Sequence, residues 1–290
     1  MNPHRTRDFP LASRLIQHSL AGLGEHRRPA LLQAYDALPD AFFTDMERET
    51  RAVMRASSQD VEACLRDLDA FNALTPEVEN DAWYDQPAAF TSMHLDALLL
   101  GFSRRRLALI VEQLRAPAAQ RLSVLDVGAG SGRLGGLLLA AHPGWQATLL
   151  DRSAAAVRFA RGYVDALGLS DRAVCTEGGL AAIPFADASF DVVIAAEVLE
   201  HTDDAPGSAA ELLRVLKPGG RLVISLPINL DIAMHPTVFA TKAAIIDFFS
   251  ALPLTLQAAD TVEPDTATDA ICDVFPGFEG CLNLTLLRMP

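Results

Sequence analysis

Residues 122–127, Leu-Ser-Val-Leu-Asp-Val, form a short apolar run rich in β-formers, and it stops at Gly128, Gly130 and Gly132. A run of that length predicts a buried strand. Directly behind the glycines, Leu134 to Ala140 reads as a helix. Strand, glycine turn and helix N-terminus together make a nucleotide-binding corner. Glycine lets the backbone turn tightly and approach a ligand with no Cβ in the way.

The spacing narrows the ligand. A dinucleotide fingerprint reads Gly-x-Gly-x-x-Gly, its third glycine packing helix on strand. Counted from Gly128, that place is held by Arg133. The glycines here instead alternate, and Asp126 stands two residues ahead of the first. A carboxylate there repels a pyrophosphate and suits a cation, such as the sulfonium and ammonium of S-adenosylmethionine. An NAD-dependent oxidoreductase is disfavoured for the same two reasons. The whole string resembles motif I of the class I S-adenosylmethionine-dependent methyltransferases.

Beyond the turn the period alternates between strand and helix, the sign of a parallel sheet with crossover helices. Strands are predicted at Ala147–Asp151, Arg172–Thr176, Val192–Ala196, Arg221–Leu226, Leu252–Val262 and Cys281–Arg288. Helices are predicted at Ala154–Leu167, Pro206–Leu216 and Thr237–Ser250, with a turn at Lys217–Gly220. Ser153 caps the first of these helices and Gly168 ends it. Asp151 lies about 20 residues past the glycine turn, where an acid at the tip of the second strand binds both ribose hydroxyls of a nucleoside.

Two later segments, Pro184 to Val193 and Leu212 to Ser225, are also similar to that family. The resemblance covers about residues 120–290. It implies an α/β fold with a seven-stranded, mostly parallel, doubly wound sheet, the Rossmann-like methyltransferase fold. It further implies S-adenosylmethionine as cofactor, held by Asp126, Gly128, Ala129, Gly130, Gly132, Asp151 and Arg152. Asp126 faces its cationic end. In the family an Asp accepts from the adenine amino group; aligned on Pro184-Phe185, that position is Gly179. Either Glu177 reaches round to the base, or the backbone near Gly179 and Leu180 holds it; the second is the expectation. Glu197, after the fourth strand, is placed against the methionine part.

About 120 residues of helical pattern precede the first strand. The expected division is a helical cap or dimerisation region over 1–118 and a cofactor-binding domain over 119–290. Thr75-Pro76-Glu77 reads as a helix start, residues 79–90 as a loop, and Thr91–Leu114 as one long helix. Trp83 and Tyr84 are candidates to wall an acceptor pocket or to anchor the cap.

The chemistry is expected at the tip of the fourth strand, Glu197-Val198-Leu199-Glu200-His201. Histidine titrates near neutral pH, and O-methylation needs a hydroxyl proton removed. His201 ranks first as base, His235 second and His94 third. Glu197 and Glu200 sit one helical turn apart with His201 adjacent. That spacing suits Mg or Mn, and it resembles two metal-dependent branches, ubiquinone-pathway O-methyltransferases and small-RNA 2′-O-methyltransferases. His235 is a further ligand candidate. Many family members carry a similar Leu-Glu-His without metal, so the expectation is a site that works without one.

Net charge is −13 over 290 residues, a poor match to a phosphate backbone, so no nucleic-acid partner is expected. Arg104-Arg105-Arg106 reads as the solvated side of a helix. No apolar run approaches the ~20 residues of a membrane span. Cys64, Cys175, Cys272 and Cys281 are scattered, which points to reduced thiols in a cytoplasmic protein. The expected function is methyl transfer to oxygen or nitrogen of a small-molecule acceptor, in a chain that homodimerises, if at all, through its N-terminal helices. The alternatives are intramolecular cyclisation of the cofactor's own side chain, releasing methylthioadenosine, and a non-catalytic binding or dimerisation protein.

Overall fold

In the second half of the chain, strands and helices follow one another as the period predicts. The computed structural model describes all residues except 1–2, 23–26, 73–80, 100, 117–118, 266–268, 270–274 and 276. The Thr75-Pro76-Glu77 start signal and Cys272 lie outside the described residues, as does the side chain of Trp83.

The N-terminal helices are α1 (Pro3–Asp8), α2 (Pro10–Gly22), α3 (Arg28–Asp36), α4 (Asp40–Ser57), α5 (Val61–Asn72), α6 (Asp81–Tyr84), α7 (Pro87–Leu98) and α8 (Phe102–Gln113). Then come β1 (Ser123–Val127), α9 (Arg133–Ala141), β2 (Gln146–Asp151), α10 (Ala154–Ala166), β3 (Ala173–Glu177) and β4 (Phe190–Ala196). The last elements are α11 (Ala205–Val215), β5 (Leu216–Pro227), α12 (Lys242–Ser250), β6 (Leu254–Val262) and β7 (Cys281–Arg288).

The seven strands form one sheet in the order β3-β2-β1-β4-β5-β7-β6. β7 runs antiparallel to both neighbours, and the other pairings are parallel. Strand order reverses between β1 and β4, and ligands of such sheets bind beyond the carboxyl ends at that point. The glycine turn and Glu197 both lie there.

Side chains on a strand alternate faces. Val124, Leu149, Val192, Ile194 and Val223 pack into one core with α9, α10 and the N-terminal helices. Leu125, Leu150, Val193, Ala195, Leu222 and Ile224 pack into a second core with α11 and α12. Burial on both faces explains the unbroken apolar runs of these strands. The N-terminal helices thus share one continuous core with the sheet. Among the described residues no helix is long and apolar enough to cross a membrane.

Four local expectations are corrected. The helix expected over Thr91–Leu114 is two helices, because Leu99 turns extended and the Asp269 carboxylate accepts from the Phe102 N–H at 2.9 Å. The expected loop before it holds α6 and the start of α7, with Pro87 in the first turn, where a missing N–H costs nothing. The helix expected from Thr237 begins at Lys242, since the Thr241 hydroxyl caps it by accepting from the Ala244 N–H. The turn at Lys217–Gly220 lies inside β5, which absorbs it as a register shift against β4.

Candidate active site

β1 delivers the chain to Gly128, Gly130 and Gly132, which take φ of 67°, 53° and 75°. Side chains other than glycine rarely adopt that region. A Cβ at Gly128 would lie 2.4 Å from Val198 Cγ2, so the turn is packed directly on the loop after β4. At Gly132 a Cβ would meet the Ala160 Cβ at 2.9 Å. Gly132→Ala is expected to cost about 2 kcal/mol in urea unfolding, from left-handed strain plus overpacking. A loss under a few tenths would refute the steric account. Gly130 differs, because a Cβ there meets nothing within 4 Å. The same is true of Gly179, after β3. These two backbones border open space.

Asp151 closes the tip of β2. Its Oδ2 accepts from the Gly130 N–H at 2.8 Å and its Oδ1 from the Ser153 N–H at 2.9 Å. Each oxygen keeps a lone pair for a hydroxyl. Burial pushes this carboxyl above its ordinary value, opposed by the two backbone donors. Ala129 spends its N–H on the Leu150 carbonyl at 3.0 Å, tying the turn to β2. Arg152 is exposed beside Asp151. Asp126 is buried, and its Oδ2 has no hydrogen-bond partner. Burial first, then the Asp151 charge, push its carboxyl up to about 7. A buried, unsatisfied carboxylate oxygen two residues ahead of the glycine turn fits a cationic ligand group. Glu177 is exposed and Leu180 is buried in the second core.

Glu197 sits at φ 58°, a strained conformation for its residue type. Its Oε1 accepts from the Ser225 hydroxyl at 2.9 Å and its Oε2 faces the Cys281 thiol at 3.1 Å. Arg106 of α8 lies 3.7 Å away. Arg106 therefore belongs to this network and not to a solvated surface. Glu200 is 2% exposed, and its Oε2 lacks a hydrogen-bond partner. Burial and the neighbouring Glu197 push its carboxyl well up.

The rings of His201 and His235 meet edge to face at 4.7 Å, and Tyr84 of α6 lies 6.2 Å from His201. His201 Nδ1 is 3.0 Å from the Met234 carbonyl and His235 Nδ1 is 3.0 Å from the Leu230 carbonyl. A carbonyl only accepts, so each Nδ1 carries a proton, and in the neutral ring Nε2 is the acceptor nitrogen. Ligand atoms of Glu200, His201 and His235 lie within 4.8 Å of one another. Glu197 is engaged elsewhere. His94, the third base candidate, is away from this tip, fully buried against Ser131 and Tyr163.

Sequence reasoning passed over Ser225, Cys281 and Arg106 around Glu197, and Glu49 and Ser131 around His94. Only Arg133 had left a signal, by standing where a dinucleotide fold needs glycine.

The sheet order, the antiparallel seventh strand and the glycine turn at the switch point define a class I, Rossmann-like methyltransferase fold. Residues 125–224 match the family described as "Methyltransferase domain", and the chain carries a domain of the class I S-adenosylmethionine-dependent methyltransferases. Over 144 residues it is 33% identical to the ubiquinone/menaquinone biosynthesis C-methyltransferase UbiE of Dinoroseobacter shibae, covering 50% of this chain and 55% of that one. Over 145 residues it is 32% identical to a malonyl-acyl-carrier-protein O-methyltransferase of Methylococcus capsulatus, covering 49% and 46%. The chain thus spans about half the length of these relatives. The crystal structure of the cyclase SpnF shares the fold with a TM-score of 0.54 at 19% identity, over 64% of this chain and 81% of that one.

Proposed function

We propose that this protein transfers a methyl group from S-adenosylmethionine to oxygen or nitrogen of a small-molecule acceptor. The observation that carries the reading is the pairing of Asp151 with the Gly130 N–H at 2.8 Å, in a glycine turn at the sheet's switch point where a Cβ on Gly130 would meet nothing within 4 Å. It supports a nucleoside with its ribose on Asp151, its base along the Gly179–Leu180 backbone and its cationic end towards Asp126.

When bound, S-adenosylmethionine supplies a methyl carbon activated by positive sulfur. The residues around it need only align the acceptor, exclude water and take a proton. Tyr84 on His201 narrows the approach to the β4 tip, which supports a small acceptor. The Nε2 lone pairs of His201 and His235 suit removal of a hydroxyl or ammonium proton. One relative is named a C-methyltransferase and another an O-methyltransferase; the imidazoles favour a heteroatom here. Cyclisation of the cofactor's own side chain, which needs no acceptor, is the rival. Incubation with the cofactor and a hydroxylated acceptor panel separates the two. Release of S-adenosylhomocysteine only with acceptor supports transfer, and methylthioadenosine without acceptor refutes it.

One observation favours a divalent cation at the same tip. Glu200, His201 and His235 each place a ligand atom within 4.8 Å of the others, both imidazoles have Nδ1 held by a carbonyl, and Glu200 keeps a buried oxygen unsatisfied. Imidazoles oriented in this way are typical metal ligands. Under this second reading Mn²⁺ titration shows one site, and Glu200→Gln or His235→Ala weakens it by about tenfold or more. No saturable binding to the wild type assigns the histidines to proton transfer alone.

A further inference from the structure

We propose that Glu49 of α4 is a positioning residue for the glycine loop, acting through His94 and Arg133, so that the N-terminal helices set cofactor affinity. The proposal rests on the reading that the crevice holds S-adenosylmethionine.

Ser131 and Arg133 flank Gly132, and both side chains turn towards the N-terminal helices. The Arg133 Nε donates to Glu49 Oε2 at 3.0 Å. His94 Nε2 of α7 lies 3.7 Å from the same oxygen, and the Tyr163 hydroxyl of α10 donates to it at 3.4 Å. His94 Nδ1 is 3.0 Å from Ser131 Oγ. His94, Glu49 and Arg133 are 0%, 4% and 5% exposed.

A buried ion pair of this kind does not repay its desolvation by stability alone. Its placement gives it another use. Arg133 opens α9, the positive end of the helix dipole, where a cation is unfavourable without a counter-charge. Glu49 supplies that charge from a different part of the chain. Burial, with Arg133 adding to it, holds His94 down at about 4, so the ring is neutral at pH 7. Nε2 makes no hydrogen bond, but it lies 3.7 Å from the Glu49 carboxylate, and that negative charge favours the proton on Nε2. Nδ1 is then an acceptor, and the Ser131 hydroxyl must donate to it. Glu49 thereby fixes a tautomer, the tautomer fixes a hydroxyl, and the hydroxyl lies between the left-handed Gly130 and Gly132. The Gly130 N–H, one residue before that hydroxyl, is the donor that orients Asp151. These contacts run from an N-terminal helix to the loop that carries the donor to Asp151.

Affinity for S-adenosylhomocysteine, measured by calorimetry on the full chain, tests the path. Glu49→Gln keeps the shape and removes the charge, and it is expected to raise Kd about tenfold. Ser131→Ala removes only the hydroxyl and leaves the ion pair whole; it is expected to raise Kd about fivefold. In the Ser131→Ala background, His94→Gln is expected to add less than about twofold, because the path is already cut. Unchanged affinity in Glu49→Gln overturns the proposal, as do Ser131 and His94 effects that multiply independently. Should Glu49→Gln not fold, the Ser131 and His94 cycle alone decides. A wild type that binds no S-adenosylhomocysteine defeats the cofactor reading itself, and this proposal with it; a wild type that binds while the variants match it defeats this proposal alone.

Discussion

Asp151→Ala is expected to weaken S-adenosylhomocysteine binding by at least about a hundredfold while leaving the protein folded. Hydrogen bonds from neutral hydroxyls to a carboxylate contribute about 1.5–3 kcal/mol each, and a ribose offers two. The substitution also releases the Gly130 N–H, which Asp151 holds at 2.8 Å, so the loop loses its orientation together with the ligand's partner. Asp151→Asn separates the two contributions. The amide carbonyl still accepts from Gly130, but the charge is gone, so an intermediate loss of about tenfold is expected. Calorimetry on the three proteins decides. Equal affinity for wild type and Asp151→Ala would remove the ribose role and the nucleoside placement built on it.

The proposed cofactor site could be read from sequence because its parts are close along the chain. Asp126, the three glycines and Asp151 belong to one strand–turn–helix–strand unit, and their chemistry follows from local spacing. The sheet was legible for a similar reason, since strands buried on both faces leave unbroken apolar runs that periodicity detects. What stayed hidden depends on distant partners. The break between α7 and α8 is capped by Asp269, 167 residues from Phe102. The Glu49–Arg133 pair joins residues 84 apart. Arg106 in a triple-arginine run looks like solvated charge until β5 brings Ser225, and the loop after β4 brings Glu197, within reach of it. Glu200 stands in a polar run beside His201, and nothing in that run reports that the turn after β4 buries it. Pattern reports which face a residue takes; it does not report which polar group from another element meets it there.

Affinity for S-adenosylmethionine is expected to rise about tenfold per pH unit from pH 5 towards pH 7 and then level off. Burial and the Asp151 charge push the Asp126 carboxyl up to about 7, so below that value the empty protein holds a proton there. A cationic ligand favours the ionised form, and binding below pH 7 must release that proton. The ligand's own amine titrates near 8 and its carboxyl below 4, so neither contributes in this window. Calorimetry at pH 6 in two buffers of different ionisation enthalpy measures the release directly. About one proton per bound ligand is expected for the wild type and none for Asp126→Asn. Folding responds in the opposite sense. The folded value lies above the unfolded 3.8, so the empty protein takes its full benefit from this group below that pH and loses it as pH rises through 7. Asp126→Asn should therefore stabilise the empty protein at pH 8 while weakening its hold on the cation. If the wild type binds with a flat pH profile from 5 to 7, Asp126 does not meet the charged end of the ligand, and its buried oxygen has some other partner.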